Sequence, residues 1–597
     1  MTGYSESNSA PVSDMAYQNT AVYVDDSWKA TRRLSLEVGA RIEHVGHWYD
    51  RAGTGMAVFF PDRVFSDYYS GKTDPGFYWH AIDPAVPLSG QPNRLAFVSP
   101  RVGLSYDPFG TGKTVIRGGW GVYRFAGQYN DYASALTTAQ AVVNYSLPGQ
   151  HSVLLNQISQ LKPAACTTPF PTTANPAGGC GITGSQTGLD SSDYGVPITY
   201  AWNLTIDRRF KWNTLLDLAY VGNTSSQILD DGETIQGSGF TSQADQNKTP
   251  IGALFLPDPK TGVVSTNPEN VATNPTTGAP TTNQLADYHP FGYAYGTNAV
   301  YKAESNQYSN YNGLQVSYIK ETGKLTFDFN FTWSKTLGTV LQANPYVVRP
   351  GNYGVASIDR PFVFNSSYTY QVGNFHHGDA IVKDILSGWT ISGISTWQAG
   401  GSLLALLGNS VPNFGLSESY SNNPTTNGVT SGVSQATYYG TDESGLAIQP
   451  LLTCNPNHGL AKYQRLNLAC FAPPALGAPG TIGQFGGQKY PYMSMGSYFD
   501  NDLALYRTVH IHNTQNLQFK VQAFNWLNHP LPEFSGANQI GLHYNVDYNT
   551  KAITLNTGNG GTVNQGNSET VSNFGFMDTK TQGPYERIVE LSVKYTF

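Results

Sequence analysis

The last eleven residues, from Arg587 to Phe597, alternate between apolar and polar side chains. The apolar positions are Val589, Leu591, Val593, Tyr595 and Phe597, and the polar positions are Glu590, Ser592, Lys594 and Thr596. Successive side chains of a β-strand point to opposite sides, so this pattern predicts a strand with one apolar and one charged face. Its length fits a tilted membrane-spanning strand of about 9–11 residues. A soluble β-sandwich can also end on such a strand, so the pattern in the rest of the chain is needed to distinguish a membrane barrel from a sandwich.

Residues 325–334 carry the clearest version of the pattern. One side holds Leu325, Phe327, Phe329, Phe331 and Trp333, and the other holds Thr326, Asp328, Asn330, Thr332 and Ser334. Five large apolar side chains in one row require removal from water, whereas Asp328 and Asn330 require a polar surrounding. Lipid outside and a wet lumen inside satisfy both requirements. A sandwich core would naturally meet only the first.

The same alternation recurs in thirteen segments, which pair as six hairpins and a closing strand. The predicted strands lie at 20–29, 34–43, 96–107, 116–122, 198–206, 216–220, 314–318, 325–334, 362–370, 389–397, 499–505, 517–523 and 587–597. Long loops are predicted at 49–94, 127–195, 222–306, 400–496 and 528–585, whereas short turns join the strands within each hairpin. Short periplasmic turns and long extracellular loops are typical of outer-membrane barrels.

The strand number bears on how the barrel is completed. Closed bacterial barrels have an even number of strands, and thirteen is odd. If the closing strand descends to the periplasm, the first strand descends as well, so the chain begins on the extracellular side. We therefore expect an all-β fold, an antiparallel transmembrane β-barrel that forms one domain over residues 1–597. About 13 strands of a 22-stranded barrel would be present, with the early strands and a plug missing.

Composition supports the same fold class. Only 13% of the residues are charged, whereas about 25% is usual for soluble proteins. The chain contains 38 Tyr, 28 Phe and 63 Gly, and no run of 18 apolar residues that could form a transmembrane helix. A barrel with a lipid face, a wet lumen and aromatic girdles fits this composition, although a secreted all-β protein would share much of it. The net charge of −7 argues against a nucleic-acid partner.

Four cysteines form two local pairs, each in a predicted loop. The candidate disulfides are Cys166 with Cys180 and Cys454 with Cys470. Disulfides in loops suit an oxidising, extracytoplasmic location. A zinc site is the weaker alternative, because the sequence has no CxxC knuckle with an accompanying histidine pair.

No motif predicts an enzyme, a cofactor or a metal site. The sequence lacks GxSxG and HExxH, and the segment Gly112-Lys113-Thr114 fails as a phosphate loop because Asp107 stands where the first glycine is required. His510 and His512 share a strand face, and we interpret them as residues beside a turn. The alternation predicts lumen-facing side chains at Arg41, Glu43, Arg101, Asp328, Asn330, Lys520 and Lys594. It predicts lipid-facing side chains at Phe327, Phe329, Phe331, Trp333 and Val593.

Several hairpins resemble a known family. The stretches YQNTAVYVDDSWKATRRLSLEVGARIEH, LAFVSPRVGLSYDPFGTGKTVIRGGWGVYRF, FDNDLALYRTVHIHNTQNLQFKVQAFNWLNHPLP and RIVELSVKYTF are similar to the barrel of TonB-dependent receptors, in particular the Oar-like group of Acidobacteria. The resemblance covers the C-terminal β-barrel portion without the plug. It implies that Tyr595 and Phe597 belong to the signal read by the barrel-assembly machinery. It also implies that the TonB energy-coupling complex is engaged only through the missing N-terminal part.

The expected function is therefore that of an outer-membrane transport protein or receptor of a Gram-negative bacterium. Its extracellular loops would capture a small ligand such as a siderophore, an oligosaccharide or a peptide, and its wall would contact outer-membrane lipid. A passive porin or a surface-adhesion barrel without energy coupling is the alternative. A soluble secreted β-protein is a third reading, which extraction only with detergent would exclude.

Overall fold

The computed structural model describes most of the chain, with gaps. The described residues are 3–7, 14–72, 74–127, 129–138, 142–146, 185–230, 244–264, 268, 285–339, 346, 353–356, 358–374, 379–401, 421–422, 429–430, 436, 439–443, 451–472, 493–512, 514–529, 544–547, 552–555, 575–577 and 586–597.

Thirteen long strands form the main sheet within these residues, as the sequence predicts. They are β1 (Asn19–Lys29), β2 (Leu34–Val45), β3 (Phe97–Tyr106), β4 (Thr114–Arg124), β5 (Ile198–Arg209), β6 (Thr214–Asp230), β7 (Val300–Lys320), β8 (Leu325–Gly338), β9 (Phe362–Gln371), β10 (Trp389–Gln398), β11 (Tyr498–His512), β12 (Gln515–Phe524) and β13 (Ile588–Thr596). We call these thirteen strands the wall.

Each strand of the wall pairs antiparallel with its neighbours in chain order, from β1 through β13. The sheet is not closed: residue-by-residue ladders join β1 to β2 and β13 to β12, and in the described residues none joins β13 to β1. The predicted fold class, an antiparallel outer-membrane barrel sheet, is confirmed in this open form. No helix among the described residues is long and apolar enough to cross a membrane.

The connections are asymmetric in length, again as predicted. Short connections lie at 30–33, 107–113, 210–213, 321–324 and 513–514. The long connections are, in order, 46–96, 125–197, 231–299, 339–361, 399–497 and 525–587. In antiparallel order all the long connections fall at one end of the wall, where loops that reach a ligand can be gathered. The connection 372–388 was predicted as a short turn, but it is longer and contains a helix.

Two neighbouring strands, β6 and β7, were predicted too short at the ends that the third long connection joins. The sequence placed a loop from 222 to 306, yet β6 continues to Asp230 and β7 already begins at Val300. The segment after Gly222 is rich in Asn, Thr and Ser and has no apolar alternation. It is held in the sheet by backbone pairing with β7, for example Asn223 with Tyr311. Backbone hydrogen bonds do not depend on side-chain type, so the sequence pattern could not reveal this extension.

The long loop predicted at 49–94 is a long connection between β2 and β3, and it contains short elements that the sequence did not predict. Short helices and strands occur there, in other connections and before β1. The helices are α1 (Val64–Tyr69), α2 (Tyr129–Thr138), α3 (Gly292–Tyr295) and α4 (Ala380–Leu386), with 3₁₀ turns at Pro61–Arg63, Lys211–Asn213, Ala253–Phe255, Leu285–Tyr288 and Leu468–Cys470. The short strands are Gly3–Ser7, Met15–Ala16, Tyr49–Asp50, Val58–Phe59, Phe77–Tyr78, Val142–Ser146, Gln186–Leu189, Gly354–Val355, Ser421–Asn422, Val429–Thr430, Leu451–Leu452, Phe471–Ala472, Tyr544–Asp547 and Ala552–Leu555.

Part of these connections packs into a compact body, which we call the cap: residues 46–94, 129–138, 185–196, 244–264 and 285–303. One buried cluster contains Met56, Val58, Leu136 and Leu189 and reaches Leu229 and Ala303 at the ends of β6 and β7. A second cluster joins Phe59, Val64, Phe77, Tyr295 and Val300. Gln186–Leu189 runs parallel to the start of β7, so the cap is hydrogen-bonded to the wall as well as packed against it.

The cap provides partners for the buried carboxylate of Asp67. Asp67 in α1 is buried, and its carboxylate accepts hydrogen bonds from the backbone N–H of Gly76 (2.8 Å) and the hydroxyl of Tyr78 (2.9 Å). Lys72 approaches the same carboxylate at 3.3 Å. A buried charge with these partners is tolerated, because both its hydrogen-bonding capacity and its charge are met.

Candidate functional site

The strand register places the predicted lumen-facing residues on one face of the wall. We call this the polar face. It carries Arg41, Glu43, Arg101, Asp328, Asn330, Lys520 and Lys594. For example, Gly39 lies opposite both Asp25 and Arg101, and Lys594 lies opposite Gln518. That this face lines a lumen stays a prediction.

A concavity of about 1020 Å³ opens on the polar face over β1 to β7. Charged and aromatic side chains surround it, among them Asp25, Glu37, Arg41, Arg101, Arg117, Tyr23, Tyr123 and Tyr311. Its floor is formed by Gly39, Gly103, Gly119 and Gly121, which lie on neighbouring strands. Because glycine has no side chain, neighbouring side chains lie over these positions: a Cβ atom at Gly121 would be 3.1 Å from the Tyr123 hydroxyl, and one at Gly119 would be 3.2 Å from the Asn203 amide.

Ion pairs fix the charges beside this concavity. Arg41 Nε lies 2.7 Å from Glu43 Oε2, and the hydroxyl of Ser99 donates to Glu43 Oε1 at 2.7 Å. Glu43 is only 4% exposed, so these two partners compensate for the loss of its hydration. Arg117 forms a second ion pair with Asp207. Arg101 instead lies over the ring of Tyr123, with 4.6 Å between the guanidinium carbon and the ring centre.

The other predicted lumen residues are not gathered at this concavity. Asn330 donates a hydrogen bond to Asp328 on the same strand, at 2.8 Å. Lys520 lies opposite Ser592, near the other end of the strand order from β1. The polar face is thus charged along the sheet but forms a defined depression only over its first seven strands.

The opposite face, which we call the apolar face, carries the predicted lipid-facing residues Phe327, Phe329, Phe331, Trp333 and Val593. The rings of Phe327 and Phe329 stack with their centres 4.7 Å apart. Trp333 is 63% exposed and Leu591, on the same face, is 79% exposed. Soluble monomers rarely expose apolar patches beyond about 300–600 Å², so a continuous apolar face over thirteen strands requires a non-aqueous surrounding. That these particular side chains touch lipid stays a prediction.

Two further sets of predicted residues differ in what the structure describes. Cys454 and Cys470 are joined in a disulfide, with their Cα atoms 4.8 Å apart. Cys166 and Cys180 lie outside the described residues. The rings of Tyr595 and Phe597 stack with centres 6.0 Å apart at the end of the chain. Their role as an assembly signal is untested and stays a prediction.

Three long connections meet at Thr249, which the sequence analysis did not single out. The hydroxyl of Thr441, from the fifth long connection, donates to the backbone oxygen of Thr249 at 3.0 Å. The hydroxyl of Tyr346, from the fourth, also donates to this oxygen. The backbone N–H of Thr249 donates to Glu443 Oε1 at 2.9 Å. The edge of the cap is therefore tied to loops far away in sequence.

His289 lies beside this meeting point, between two acceptors. Its Nδ1 lies 2.5 Å from the backbone oxygen of Asn247, and its Nε2 lies 3.1 Å from Asp442 Oδ2. Burial alone would lower the pKa of His289, but the hydrogen bond and the charge of Asp442 outweigh it and raise that pKa. Burial would likewise raise the pKa of Asp442, and its contact with His289 brings that pKa below the usual value. In the absence of other ligands the two form an ion pair.

Sequence reasoning missed this cluster because its members are 153 residues apart and carry no motif. The cap had a weak signal, since Phe59, Phe60, Phe77 and Tyr78 are unusually apolar for a loop. That signal has no period of two or of 3.6 residues, so it did not predict an element.

Comparison with known proteins agrees with this architecture. Residues 1–570 match the family described as outer membrane beta barrel domain. Among curated proteins, no sequence matches the chain. Similar solved structures include the ferripyoverdine receptor of the outer membrane of Pseudomonas aeruginosa, at 10% identity and a TM-score of 0.32, covering 91% of this chain and 37% of that one. The outer membrane transporter YddB from Escherichia coli is 9% identical, with a TM-score of 0.34 and coverage of 87% and 51%.

A third solved structure, the copper transporter OprC, is 8% identical with a TM-score of 0.35, covering 97% of this chain and 48% of that one. The chain spans about half or less of the length of each of these proteins.

Proposed function

The chain belongs to the outer membrane beta barrel domain family, and from that premise we propose that it forms the wall and the ligand-capturing loops of a TonB-dependent transporter of the Oar-like type. The observation that carries this proposal is the two-faced wall with all its long connections at one end. A sheet of this kind separates lipid from an aqueous path and gathers loops on one side of the membrane.

The polar face supplies the path in this proposal. Its arginines and carboxylates are held by fixed partners, such as Arg41 with Glu43, so the lining keeps a defined charge pattern when water or a solute passes. Gly119 and Gly121 let the side chains of Asn203 and Tyr123 lie over the sheet beside the depression. The apolar face would contact outer-membrane lipid.

Other partners follow from the same proposal. The small ligand would be a siderophore, an oligosaccharide or a peptide, captured first by the long connections. Energy would come from the TonB complex. The barrel-assembly machinery would read the terminal strand with Tyr595 and Phe597.

The orientation can be tested with epitope insertions in the protein expressed from its whole gene. An epitope after Ala85, an exposed residue of the cap, should bind antibody on intact cells. The same epitope after Thr322, in the short connection 321–324, should bind only after the outer membrane is opened. Labelling of both positions, or of neither, on intact cells would contradict the proposed topology.

Energised transport can be separated from passive diffusion by electrical recording. The protein expressed from its whole gene, purified and placed in a planar bilayer, should show no steady conductance, and uptake of a siderophore, oligosaccharide or peptide by cells that express it should stop when TonB is deleted. Steady conductance together with uptake that survives the deletion would favour the alternative, a passive porin.

A further inference from the structure

We propose that His289, Asp442 and Glu443 form a binding site for a borderline divalent transition metal ion, of which Zn²⁺ is the type. One ligand atom from each residue can be chosen so that all three lie within 4.8 Å of one another. This is the one such group of three among the residues that the structure describes. The proposal does not depend on the transport function.

The histidine is already oriented as a metal ligand. The backbone oxygen of Asn247 can only accept a hydrogen bond, so Nδ1 of His289, 2.5 Å away, carries the proton. Nε2 is then the nitrogen that faces the carboxylates. Metal-binding histidines usually donate their second ring N–H to a carbonyl or carboxylate in this way, which fixes the ring and its tautomer.

Asn247 is itself held firmly in place. Its side-chain oxygen accepts from the backbone N–H of Phe291 at 2.7 Å, and its side-chain nitrogen donates to the backbone oxygens of Gly296 (3.1 Å) and Asn298 (2.8 Å). The residue is fully buried. The support behind His289 is thus rigid, as a preformed ligand requires.

Asp442 offers an oxygen close to the histidine nitrogen, and an oxygen of Glu443 lies within 4.8 Å of both of these atoms. Asp442 Oδ2 lies 3.1 Å from Nε2 of His289. Two atoms that each sit about 2.0–2.2 Å from one tetrahedral zinc ion are separated by about 3.3–3.6 Å, so a small shift of the Asp442 side chain would admit the ion. Asp442 Oδ1 is buried, and among the described residues the Thr249 side chain is the neighbour that acts on this carboxylate besides His289.

The ligand set determines the class of metal. One imidazole nitrogen and two carboxylate oxygens suit Zn²⁺ and its neighbours in the transition series, whereas Ca²⁺ and Mg²⁺ prefer oxygen alone. Binding of the metal ion releases the proton of His289 Nε2 to solvent. The metal ion then takes the place of the ion pair between His289 and Asp442. Three protein ligands leave a coordination position open, and Asp442 remains partly exposed beside it.

The site would fasten the fifth long connection to the cap. His289 belongs to the third long connection, and Asp442 and Glu443 belong to the fifth. Thr249 and Thr441 already join these segments by hydrogen bonds. A metal ion would add ligand bonds at the same place and restrict the opening of the loops that surround the mouth of the wall.

Calorimetric titration of the metal-stripped, detergent-solubilised protein with Zn²⁺ tests the proposal. We expect one tight site that Ca²⁺ in excess does not displace. His289→Gln and Asp442→Asn should each weaken it by at least about 100-fold, because loss of even a residue that only orients a ligand costs 10–100-fold. Asp442→Asn keeps the shape of the side chain, so it guards against a simple folding defect.

His80→Gln is the matched control. His80 is another cap histidine whose Nδ1 is held by a backbone oxygen, that of Val86 at 2.7 Å, but it belongs to no group of metal-ligating residues that the structure describes. This variant should bind Zn²⁺ like the unaltered protein. Unchanged binding in His289→Gln, or displacement by Ca²⁺, would overturn the proposal.

Discussion

The wall and the cap bury their apolar side chains in opposite ways. In the cap, Met56 and Phe77 are 0% exposed, so the protein itself removes them from water. In the wall, Val24 is 71% exposed, and apolar neighbours such as Val38 and Val102 extend that surface across the sheet. The cap is therefore packed like a small water-soluble domain, whereas the apolar face of the wall is suited to a lipid surrounding.

This difference shows where each region obtains its stability. Burial of apolar surface from water stabilises the cap at about 25 cal/mol per Å². The wall gains stability from burial of its apolar side chains only when lipid covers its apolar face. Its other source of stability is the continuous backbone hydrogen bonding between its strands. We therefore expect substitutions in the two regions to respond differently to the presence of a bilayer.

The largest effect is expected from Phe77→Ala in the cap. Phe77 lies in the buried cluster with Phe59 and Tyr295, and truncation of a buried Phe costs about 3–5 kcal/mol because it leaves a cavity. Hydrogen exchange should increase throughout the cap while the wall strands stay protected. Phe65→Ala is the control, since Phe65 is in the same region but 61% exposed. Equal loss of protection in cap and wall would show that the two do not behave as separate units.

The next largest effect is expected from a charge in the wall. Phe331→Arg places a cation in the middle of β8 on the apolar face, where it should cost about 2–4 kcal/mol in a bilayer. Thr332→Arg is the control, because the adjacent residue points to the polar face. Urea titration of folding into lipid vesicles would measure both. Equal costs would mean that the two faces of β8 meet the same surroundings.

These two regions also differ in how much the sequence predicts of them. Alternation predicts the wall because a strand between two unlike surroundings must change side-chain type at every position. For β8 the prediction, 325–334, differs from the observed strand only at its end, Gly338. The cap core instead combines Val58, Leu136, Leu189 and Ala303 from four distant segments. No periodic pattern of apolar residues within one segment predicts which distant segments will pack together.

The contacts between polar side chains show the same limit of prediction from sequence. Arg41 and Glu43 are two residues apart on one strand, so the sequence places them on one face, and they do form an ion pair. The partner of Glu43, Ser99, lies on another strand and carries no comparable signal. The pair His289 and Asp442 depends entirely on how two long connections meet. Tertiary packing determines such contacts, and they cannot be predicted from the local pattern of a single sequence.

A smaller effect within the wall is expected from Gly393→Ala. The ring of Tyr368 lies over this glycine, and a methyl group there would come within 2.5 Å of it. Overpacking of this kind costs about 1–3 kcal/mol, and the low end applies if the ring can swing outward. Gly118→Ala is the control, since its nearest atoms would be 3.6 Å away. Thermal unfolding in lipid would measure the difference, and equal melting temperatures would show that the ring does not rest on Gly393.

The smallest effect is expected from the protonation of His47, which lies where the cap joins β2. Burial lowers the pKa of His47, and the nearby His44 lowers it further, while the charge of Asp193 acts in the opposite direction. The folded protein therefore favours the neutral imidazole. As the pH falls below the unfolded-state value near 6.5, unfolding takes up a proton, so this part of the cap loses stability until the pH passes the folded-state pKa.

His47→Gln should remove that pH dependence from the cap and leave the wall unaffected. The backbone N–H of His47 bonds to Asn93 at 2.9 Å, and the substitution keeps this contact, so the local fold is preserved. Hydrogen exchange of residues near Trp48 at about pH 7.5 and about pH 5.5 would measure it. A cap that loosens equally in both proteins would assign the effect to other groups. Loosening of the wall strands in parallel would erase the distinction between the two regions on which this prediction rests.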